Sequence, residues 1–394
     1  MSQRNILLTI PLRALSSSKL ALVLIVLLIL FSIAGAVLPQ KGMFEIRDIE
    51  LWQQVHTTLT KILEPAGLFH VFHSWPFLIT ISILGVNILT CTLQHFIKDG
   101  GFAAFKGPRA IEKAGFILLH FSLIVLFAGG FLSAATRLDG HIVLTEGQSF
   151  RERHDNYLRL VEGPLRPEHH EDFVLTLKQV ETKYEKQRYQ TDVTSSIEIL
   201  LEGKKAADGI VKINKPFTYK GFSFTQDQTG FSPRIVIREK ESGKLMLDSF
   251  VALKTFQNGQ DRKYHDFLPL PFLKNTVIIT LYPSYTMENG RAIKTSEQPE
   301  KPLLMIEEKD ESGQDVSQTY LHLKSRIELG EYSFNFTDIR CWSSFKVVED
   351  SGYYIVCVSL WLGLVALLLR YVPDIRKWFG IKPSLLGKHN SQQD

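Results

Sequence analysis

Residues 114–135 read AGFILLHFSLIVLFAGGFLSAA, a run in which only His120 can carry a charge. About 20 mostly apolar residues in a helix are long enough to cross a hydrocarbon core of about 30 Å. This run therefore predicts a membrane-spanning helix. It also places an ionisable side chain within the membrane, where such side chains are costly and typical of functional sites.

Three further apolar runs have a similar character, at residues 20–38, 75–97 and 353–369. The first contains no charged residue, and its apolar core exceeds the ~7–15 residues of a cleaved signal sequence. Residues 34–36, Ala-Gly-Ala, resemble a cleavage site, but the length of the run favours an uncleaved anchor. We therefore expect an integral membrane protein with four transmembrane α-helices, three N-terminal and one C-terminal.

Lysine and arginine residues beside these runs predict the orientation, because cytoplasmic flanks carry an excess of them. The segments before residue 20, between residues 97 and 114, and after residue 369 are basic, whereas the loop 39–74 is not. Four alternating spans place all three basic segments on one side. Both termini are therefore expected in the cytoplasm. The basic flanking residues are Arg4, Arg13, Lys19, Lys98, Lys106, Arg109, Lys113, Arg370, Arg376, Lys377, Lys382 and Lys388.

Residues 137–350 are polar and carry short apolar runs with a period of two, which is typical of half-buried strands. Turn-forming groups such as 241–244 (ESGK) and 310–313 (DESG) separate these runs. We expect a large extracytoplasmic antiparallel β-rich domain, sandwich or barrel-like. It follows the membrane region 1–136 and precedes residues 351–394, the last helix and a basic cytoplasmic tail. Strands are predicted near residues 141–144, 157–161, 173–180, 196–201, 221–225, 234–238, 276–282, 303–307 and 332–339.

Composition and motifs exclude several classes of function. The net charge of +4 is too small to indicate a nucleic-acid-binding protein. Gly-x-Gly-x-x-Gly, phosphate-loop, Gly-x-Ser-x-Gly and His-Glu-x-x-His motifs are absent from the sequence. Of the three cysteines, Cys91 and Cys357 lie in apolar runs, so Cys341 alone belongs to the polar domain. Thiol–disulfide exchange normally needs a second, resolving thiol, which argues against that chemistry for this chain alone.

His120 is the strongest candidate for a functional residue. Imidazole is a common axial ligand of haem iron, and the third span places His120 about 9 Å from the cytoplasmic boundary. A structural alternative is a histidine that only hydrogen-bonds a neighbouring helix. No catalytic residue and no metal site beyond haem iron is predicted.

The second span has a polar face formed by Thr80, Asn87, Cys91 and Gln94, which fall on one side at 100° per residue. Lipid cannot satisfy polar groups, so this face is expected to point into the helix bundle. It could line a pocket between the second and third spans, or it could serve only in helix–helix contact. His95 is expected at the membrane interface.

Other features have weaker interpretations. His70 and His73 precede the second span with a spacing that suits one helical face and a ligand, although two interfacial histidines are the simpler interpretation. The pair His169-His170 is expected in a solvated loop. The pair Gly129-Gly130 is expected to allow close packing of the third span. An amphipathic helix is expected within residues 49–62, on the membrane surface or against the β domain.

Four segments together resemble the ResB (CcsB) family of cytochrome c biogenesis proteins. Residues 67–77 (GLFHVFHSWPF), followed by Asn87 and Cys91, resemble the entry to that family's second span. Residues 115–120 (GFILLH) with Gly129-Gly130 resemble its third span. Residues 213–224 (INKPFTYKGFSF) resemble part of its outer domain. Residues 349–352 (EDSG) resemble its Asp-Pro-Gly junction, with serine in place of proline. The layout of the whole chain is similar as well.

The resemblance implies a function in the System II pathway of the bacterial cytoplasmic membrane. The chain would be a non-catalytic or co-catalytic subunit of a cytochrome c synthase that handles haem, with His120 as an axial ligand. The implied partners are a tryptophan-rich subunit of the ResC (CcsA) type, apocytochrome c and a thioredoxin-like protein that keeps it reduced. This chain has five tryptophans and no tryptophan-rich haem loop, so it resembles the companion subunit.

Two other functions are compatible with the sequence. One is a membrane-anchored scaffold or binding protein with no haem role of its own. The other is a transporter in which His120 relays protons. Transporters usually show inverted repeats and more spans, and the sequence shows neither.

Overall fold

A computed structural model describes residues 15–41, 46–98, 100–106, 110–168, 170–185, 189–258 and 261–378. The described residues divide into two compact units. One falls within Met1–Ser133 together with Gly352–Asp394, and the other within Ala134–Ser351.

The first unit is helical. Its helices are α1 Ser18–Val37, α2 Ile46–Val55, α3 Thr57–Leu63, α4 Trp75–Lys98, α5 Ala110–Thr136 and α6 Tyr353–Trp378. Within the described residues, α1, α4, α5 and the Tyr353–Tyr371 part of α6 are long and apolar enough to cross a membrane, which confirms the four predicted spans. Helix α5 begins four residues before the predicted position, and α6 continues beyond residue 369. Backbone hydrogen bonds extend these helices past the apolar runs that the prediction used.

The connection between α1 and α4 differs from the expected single helix. It forms α2 and α3, which are separated at His56, where φ is −113° and ψ is 48°. A 3₁₀ segment, Leu68–His73, follows and places Phe69 and Val71 in the interior. Gln40 joins this segment to the end of α1, because its side-chain amide donates to the carbonyl of Leu68 and accepts from the amide of Val71 at 3.0 Å each. The predicted helix is therefore two short helices.

The second unit is an antiparallel β domain. Its strands are β1 Leu138–Thr145, β2 Ser149–Arg151, β3 Arg159–Glu162, β4 Val174–Glu185, β5 Tyr189–Leu201, β6 Lys204–Lys212, β7 Phe217–Tyr219, β8 Phe222–Glu239, β9 Leu245–Phe250, β10 Lys254–Asn258, β11 Asp261–Leu268, β12 Thr276–Tyr282, β13 Ser284–Glu288, β14 Arg291–Ser296, β15 Leu303–Lys309, β16 Asp315–His322, β17 Ser325–Leu329 and β18 Tyr332–Glu349. The turns predicted at 241–244 and 310–313 connect β8 to β9 and β15 to β16.

Two long strands, β8 and β18, form the centre of this domain and pair with each other from Phe222↔Glu349 to Glu239↔Tyr332. The sequence pattern had divided β8 into two separate strands, at 221–225 and 234–238. The intervening residues stay extended because they continue the same ladder, which shifts register beside Ser343 and again beside Phe336. Long-range pairing of this kind leaves little trace in local periodicity.

The long ladder separates two hydrophobic cores. Its Phe222–Val347 end packs with β4, β5 and β6 around Leu175, Ile197 and Val211. Its other end packs with β11, β12 and β15 around Tyr264, Ile279 and Ile306. In each core, side chains from two sheets fill one apolar interior, which is the arrangement of a sandwich. Strands β8 and β18 contribute side chains to both cores. These are Phe222, Phe224, Phe345 and Val347 in the first core and Phe231, Ile235, Ile237, Phe334 and Phe336 in the second.

Candidate functional site

His120 lies on α5 and is half-buried. Its Nδ1 lies 2.9 Å from the carbonyl oxygen of Phe116, one turn earlier. A carbonyl oxygen can only accept a hydrogen bond, so Nδ1 carries the proton and donates it. In the neutral ring the lone pair is then on Nε2, which is left for another partner. The backbone thus fixes the ring in the orientation and tautomer that a metal-ligating histidine needs.

The ring of Phe116 contacts His120 and connects it to α4. The Phe116 and His120 ring centroids are 4.1 Å apart, and the Phe116 ring lies 5.0 Å from that of His95. Lys113 is the last Lys or Arg before His120 on α5, about 10 Å earlier at 1.5 Å per residue. His95 itself is exposed. This edge of α4 and α5 therefore offers two imidazoles separated by one phenyl ring.

Glycines on α5 bring it into close contact with α6. A Cβ atom added to Gly115 would lie 2.6 Å from the backbone nitrogen of Arg370, and one added to Gly129 would lie 2.9 Å from Ile355 Cγ2. A Cβ atom added to Gly130 would meet no atom of the described residues within 4 Å, so of the predicted pair it is Gly129 that packs closely. Between these contacts, Ser122 lies against Gly363 of α6. His120 is thus carried by a helix that is fixed to α6 on both sides of it.

The polar face of α4 has a different partner from the one considered above. Asn87, which is buried, donates to the carbonyl oxygen of Ser17 at 3.1 Å, and Gln94 accepts from the hydroxyl of Ser16 at 2.9 Å. Thr80 donates within its own helix, to the carbonyl of Pro76. Asn87 and Gln94 therefore bind the segment that leads into α1, which agrees with the alternative of helix–helix contact. Cys91, on the same face, is a half-buried free thiol.

The histidines before α4 do not form one helical face. His70 is exposed and interrupts the 3₁₀ segment with a φ of −147° and a ψ of 51°. The side chain of His73 lies outside the described part of the structure. The exposure of His70 agrees with an interfacial position rather than with a shared ligand site.

A histidine cluster in the β domain had no counterpart in the sequence analysis. His154, Glu162 and His170 each bring a ligand atom to within 4.8 Å of the others. His170 does not lie in a solvated loop as predicted, because its Nδ1 donates to the buried carboxylate of Glu152 at 2.6 Å. His169 lies outside the described residues. Spacings of eight residues fit no ligand motif, so only the folded chain reveals the cluster.

Cys341 lies between the two cores of the β domain and contacts both. Burial, with a smaller contribution from Glu146, raises the pKa of its thiol to about 12. The nearby carboxylate of Glu146 accepts a hydrogen bond from the amide of Cys341 at 3.1 Å. A thiol of this kind is a poor nucleophile near neutral pH, which favours a structural position over a redox one.

Comparisons with known proteins agree on one family. A model described as the ResB-like family matches residues 18–99 and 97–393. The cytochrome c biogenesis protein CcsB of Crocosphaera subtropica is 21% identical over 270 residues, which cover 54% of this chain and 58% of that protein. Ccs1 of Porphyra purpurea, named likewise as a cytochrome c biogenesis protein, is 21% identical over 297 residues, or 61% of this chain and 65% of that protein.

These alignments span about three fifths of the length of the curated relatives. Among solved structures, the cytochrome c haem lyase CcmF is similar at 12% identity with a TM-score of 0.27, covering 87% of this chain and 38% of that chain. A TM-score of this size does not indicate a common fold.

Proposed function

Because the chain belongs to the ResB-like family, we propose that it is a subunit of a membrane cytochrome c synthase of the System II type. In this proposal it helps to bring haem across the membrane and to attach it to apocytochrome c. The chain itself acts by binding and positioning, without catalytic residues of its own. Its relatives are named cytochrome c biogenesis proteins, which supports this pathway.

The observation that carries the proposal is the hydrogen bond from His120 Nδ1 to the carbonyl of Phe116. It leaves Nε2 as the ligand atom on an apolar helix. Haem is a large apolar molecule with an iron atom that accepts imidazole. Helix α5 therefore offers haem two things that it needs, an apolar surface for the porphyrin and one oriented nitrogen for the iron.

Haem is the cargo of this reaction rather than a resident cofactor. We propose that His120 contributes one axial ligand and that a tryptophan-rich subunit of the ResC (CcsA) type completes the binding site. The basic flanks predict that both termini are cytoplasmic, which places His120 in the cytoplasmic half of the membrane and the β domain outside. In that orientation haem would reach His120 first, and apocytochrome c, kept reduced by a thioredoxin-like protein, would approach from the side of the β domain.

The decisive experiment measures haem in the purified complex. The chain is purified together with its co-purifying partner, and Soret absorbance per protein is compared between wild type and His120→Ala. We expect haem in the wild type and a loss of most of it in the variant. Added imidazole is expected to restore part of the absorbance, because a free imidazole can occupy the position of the missing side chain.

His56→Ala is the matched control, because His56 is an exposed histidine stacked on Trp52 and remote from α5 in sequence. It should retain wild-type haem. Equal haem in wild type and His120→Ala would remove His120 from the proposal. A wild-type complex without haem, in cells that still need the chain to mature c-type cytochromes, would favour the scaffold function. Normal maturation in cells lacking the chain would overturn the proposed pathway.

A further inference from the structure

We propose that His154, Glu162 and His170 form a binding site for a divalent transition-metal ion, with Zn²⁺ as the expected occupant. The site belongs to the β domain. It is independent of the haem function proposed for His120, and its test does not depend on haem.

The three side chains come from separate positions along one irregular stretch. His154 begins a single 3₁₀ turn, His154–Asn156, Glu162 ends β3, and His170 lies in the connection to β4. Their ligand atoms lie within 4.8 Å of one another. Two imidazoles and one carboxylate are a ligand set typical of zinc, and they leave a further position for water or another ligand. The combination of nitrogen and oxygen donors favours a transition metal over calcium or magnesium, which prefer oxygen alone.

Each imidazole of the cluster contacts a carboxylate, His170 an outer one and His154 the proposed ligand Glu162. His170 Nδ1 donates to Glu152 at 2.6 Å, and His154 Nδ1 lies 2.9 Å from Glu162 Oε2. In His170, Nδ1 is therefore the donor and Nε2 is left for a metal. In His154, Nδ1 and Glu162 Oε2 face each other, and an ion bound by both atoms would replace the proton between them. A carboxylate behind a histidine is the usual outer partner in zinc sites, where it fixes the ring and raises its basicity.

Glu152 provides the strongest independent sign that a cation belongs here. Its side chain is 0% exposed, and a buried carboxylate is costly unless it is compensated. In the described part of the chain, its contacts are His170, the hydroxyl of Tyr157 at 3.2 Å and the amide of Asp172 at 3.4 Å. None of these is a permanent cation. A metal ion bound through His170 would supply the missing positive charge.

The second carboxylate is held from the other side by arginine. Arg166, which is 7% exposed, contacts Glu162 at 3.0 Å and also Glu349, the last residue of β18. This ion pair keeps one oxygen of Glu162 engaged and leaves the other directed to His154. A metal at the cluster would thus join His154 and His170 to Glu162 at the end of β3. Through Arg166, which contacts both Glu162 and Glu349, it would also be connected to the end of the central ladder.

Metal binding can be measured on the full chain in detergent, purified through a tag without histidine and treated with a chelator. Zn²⁺ is titrated against a chromophoric chelator, and Co²⁺ is added separately because its visible absorption reports tetrahedral nitrogen and oxygen ligands. We expect one tightly bound ion per chain and a higher thermal midpoint with Zn²⁺ than without it. A wild type with no stoichiometric binding would overturn the proposal.

His154→Ala is the primary variant, because its side chain is 64% exposed and its loss should not disturb folding. We expect it to weaken Zn²⁺ binding at least tenfold and to remove the thermal shift. Glu152→Gln keeps the shape of the buried side chain and should weaken binding by about 10- to 100-fold, as loss of an outer carboxylate does. His322→Ala, an exposed histidine on β16, is the matched control and should bind as the wild type does. Wild-type affinity in His154→Ala would show that the ion binds elsewhere.

Discussion

The side-chain amide of Asn87 donates a hydrogen bond at 3.1 Å to the carbonyl oxygen of Ser17, 70 residues earlier in the chain. Asn87 is 3% exposed, and its amide also donates to the carbonyl of Leu15. The Ser17 carbonyl also accepts from the amide of Ala21 within α1, so Asn87 adds a second hydrogen bond to it. The buried asparagine therefore connects α4 to the beginning of α1 by two hydrogen bonds.

Asn87→Ala tests this connection. We expect it to destabilise the helical unit by about 1 kcal/mol, since hydrogen bonds between membrane helices contribute about 0.6–2 kcal/mol. Unfolding of the full chain in mixed micelles, followed by helical circular dichroism, gives the measurement. Ser82→Ala is the control, because that exposed hydroxyl donates within its own helix, to the carbonyl of Leu78. A variant as stable as Ser82→Ala would contradict the assignment.

Gly129 and Gly130 form a natural matched pair on α5. Gly129→Ala places a methyl group 3.0 Å from the backbone nitrogen of Val356, so the two helices must separate or shift. We expect the free energy of unfolding of the helical unit to fall by about 1–3 kcal/mol, the usual cost of overpacking. Gly130→Ala meets open space and should be neutral or slightly stabilising, because alanine is the better helix former.

The test compares the thermal aggregation midpoints of these two variants in one detergent, and Gly129→Ala should have the lower midpoint. Equal midpoints would mean that α5 does not pack on α6 through Gly129. Haem retention in the partner complex is a second readout. It should fall with Gly129→Ala if His120 depends on the position of α5.

Cys341 should react slowly with thiol reagents. With a pKa of about 12, only about 1 in 10⁴ of these thiols is ionised at pH 8, against roughly a quarter for a thiol with the ordinary value near 8.5. The rate of maleimide modification is read by mass spectrometry on the peptide that contains Cys341, in the folded chain and in urea. We expect the folded rate to be lower by at least a hundredfold. Similar rates in both states would restore a reactive function for this thiol.

The ion pair between Arg234 and Asp248 predicts a pH dependence of stability. The Arg234 guanidinium, with bonds of 2.8 and 2.9 Å, holds the pKa of Asp248 below its usual range. Because the pKa of Asp248 is lower in the folded than in the unfolded chain, the ion pair stabilises the fold at pH values above the unfolded pKa, near 3.9. This contribution is lost as the pH falls through the folded pKa. Asp248→Asn should therefore lower the thermal midpoint at pH 7, and the difference should shrink below about pH 4.

The expected difference at pH 7 is small, about 1–3 °C, because both side chains reach water. Midpoints of wild type and Asp248→Asn are compared between pH 3 and pH 8 at low salt. A difference that grows towards acid pH would mean that the ion pair does not stabilise the fold.

Apolar run length predicted the four spans, because the bilayer imposes a length on any helix that crosses it. Strand positions followed from a period of two, but the continuity of β8 did not, since its middle residues are held by β18 and not by a local pattern. The polar face of α4 was predicted from spacing, and its partner was not, because a helix pattern says nothing about which neighbour it faces. The break at His56 was likewise missed, since the apolar positions continue across it.

Candidate site residues divide in the same way. His120 could be proposed from the sequence because an ionisable residue stands out in an apolar run, and its role in haem binding stays a prediction. The cluster of His154, Glu162 and His170 could not, because its members are ordinary polar residues until the chain folds back and buries Glu152 behind them. Contacts made by irregular connections carry no periodic signal.

The first and last strands of the β domain are paired, with Leu138 opposite Glu349, and Gly352 lies against Gly129 at the end of α5. Both ends of the inserted segment therefore leave from and return to neighbouring points. A short turn could join the two points on the helices directly. Because the folded β domain holds its own ends together, it costs about as much loop entropy as such a turn. The β domain is in this sense a removable module, and a version of the protein with a glycine-rich turn in its place should still assemble its four helices.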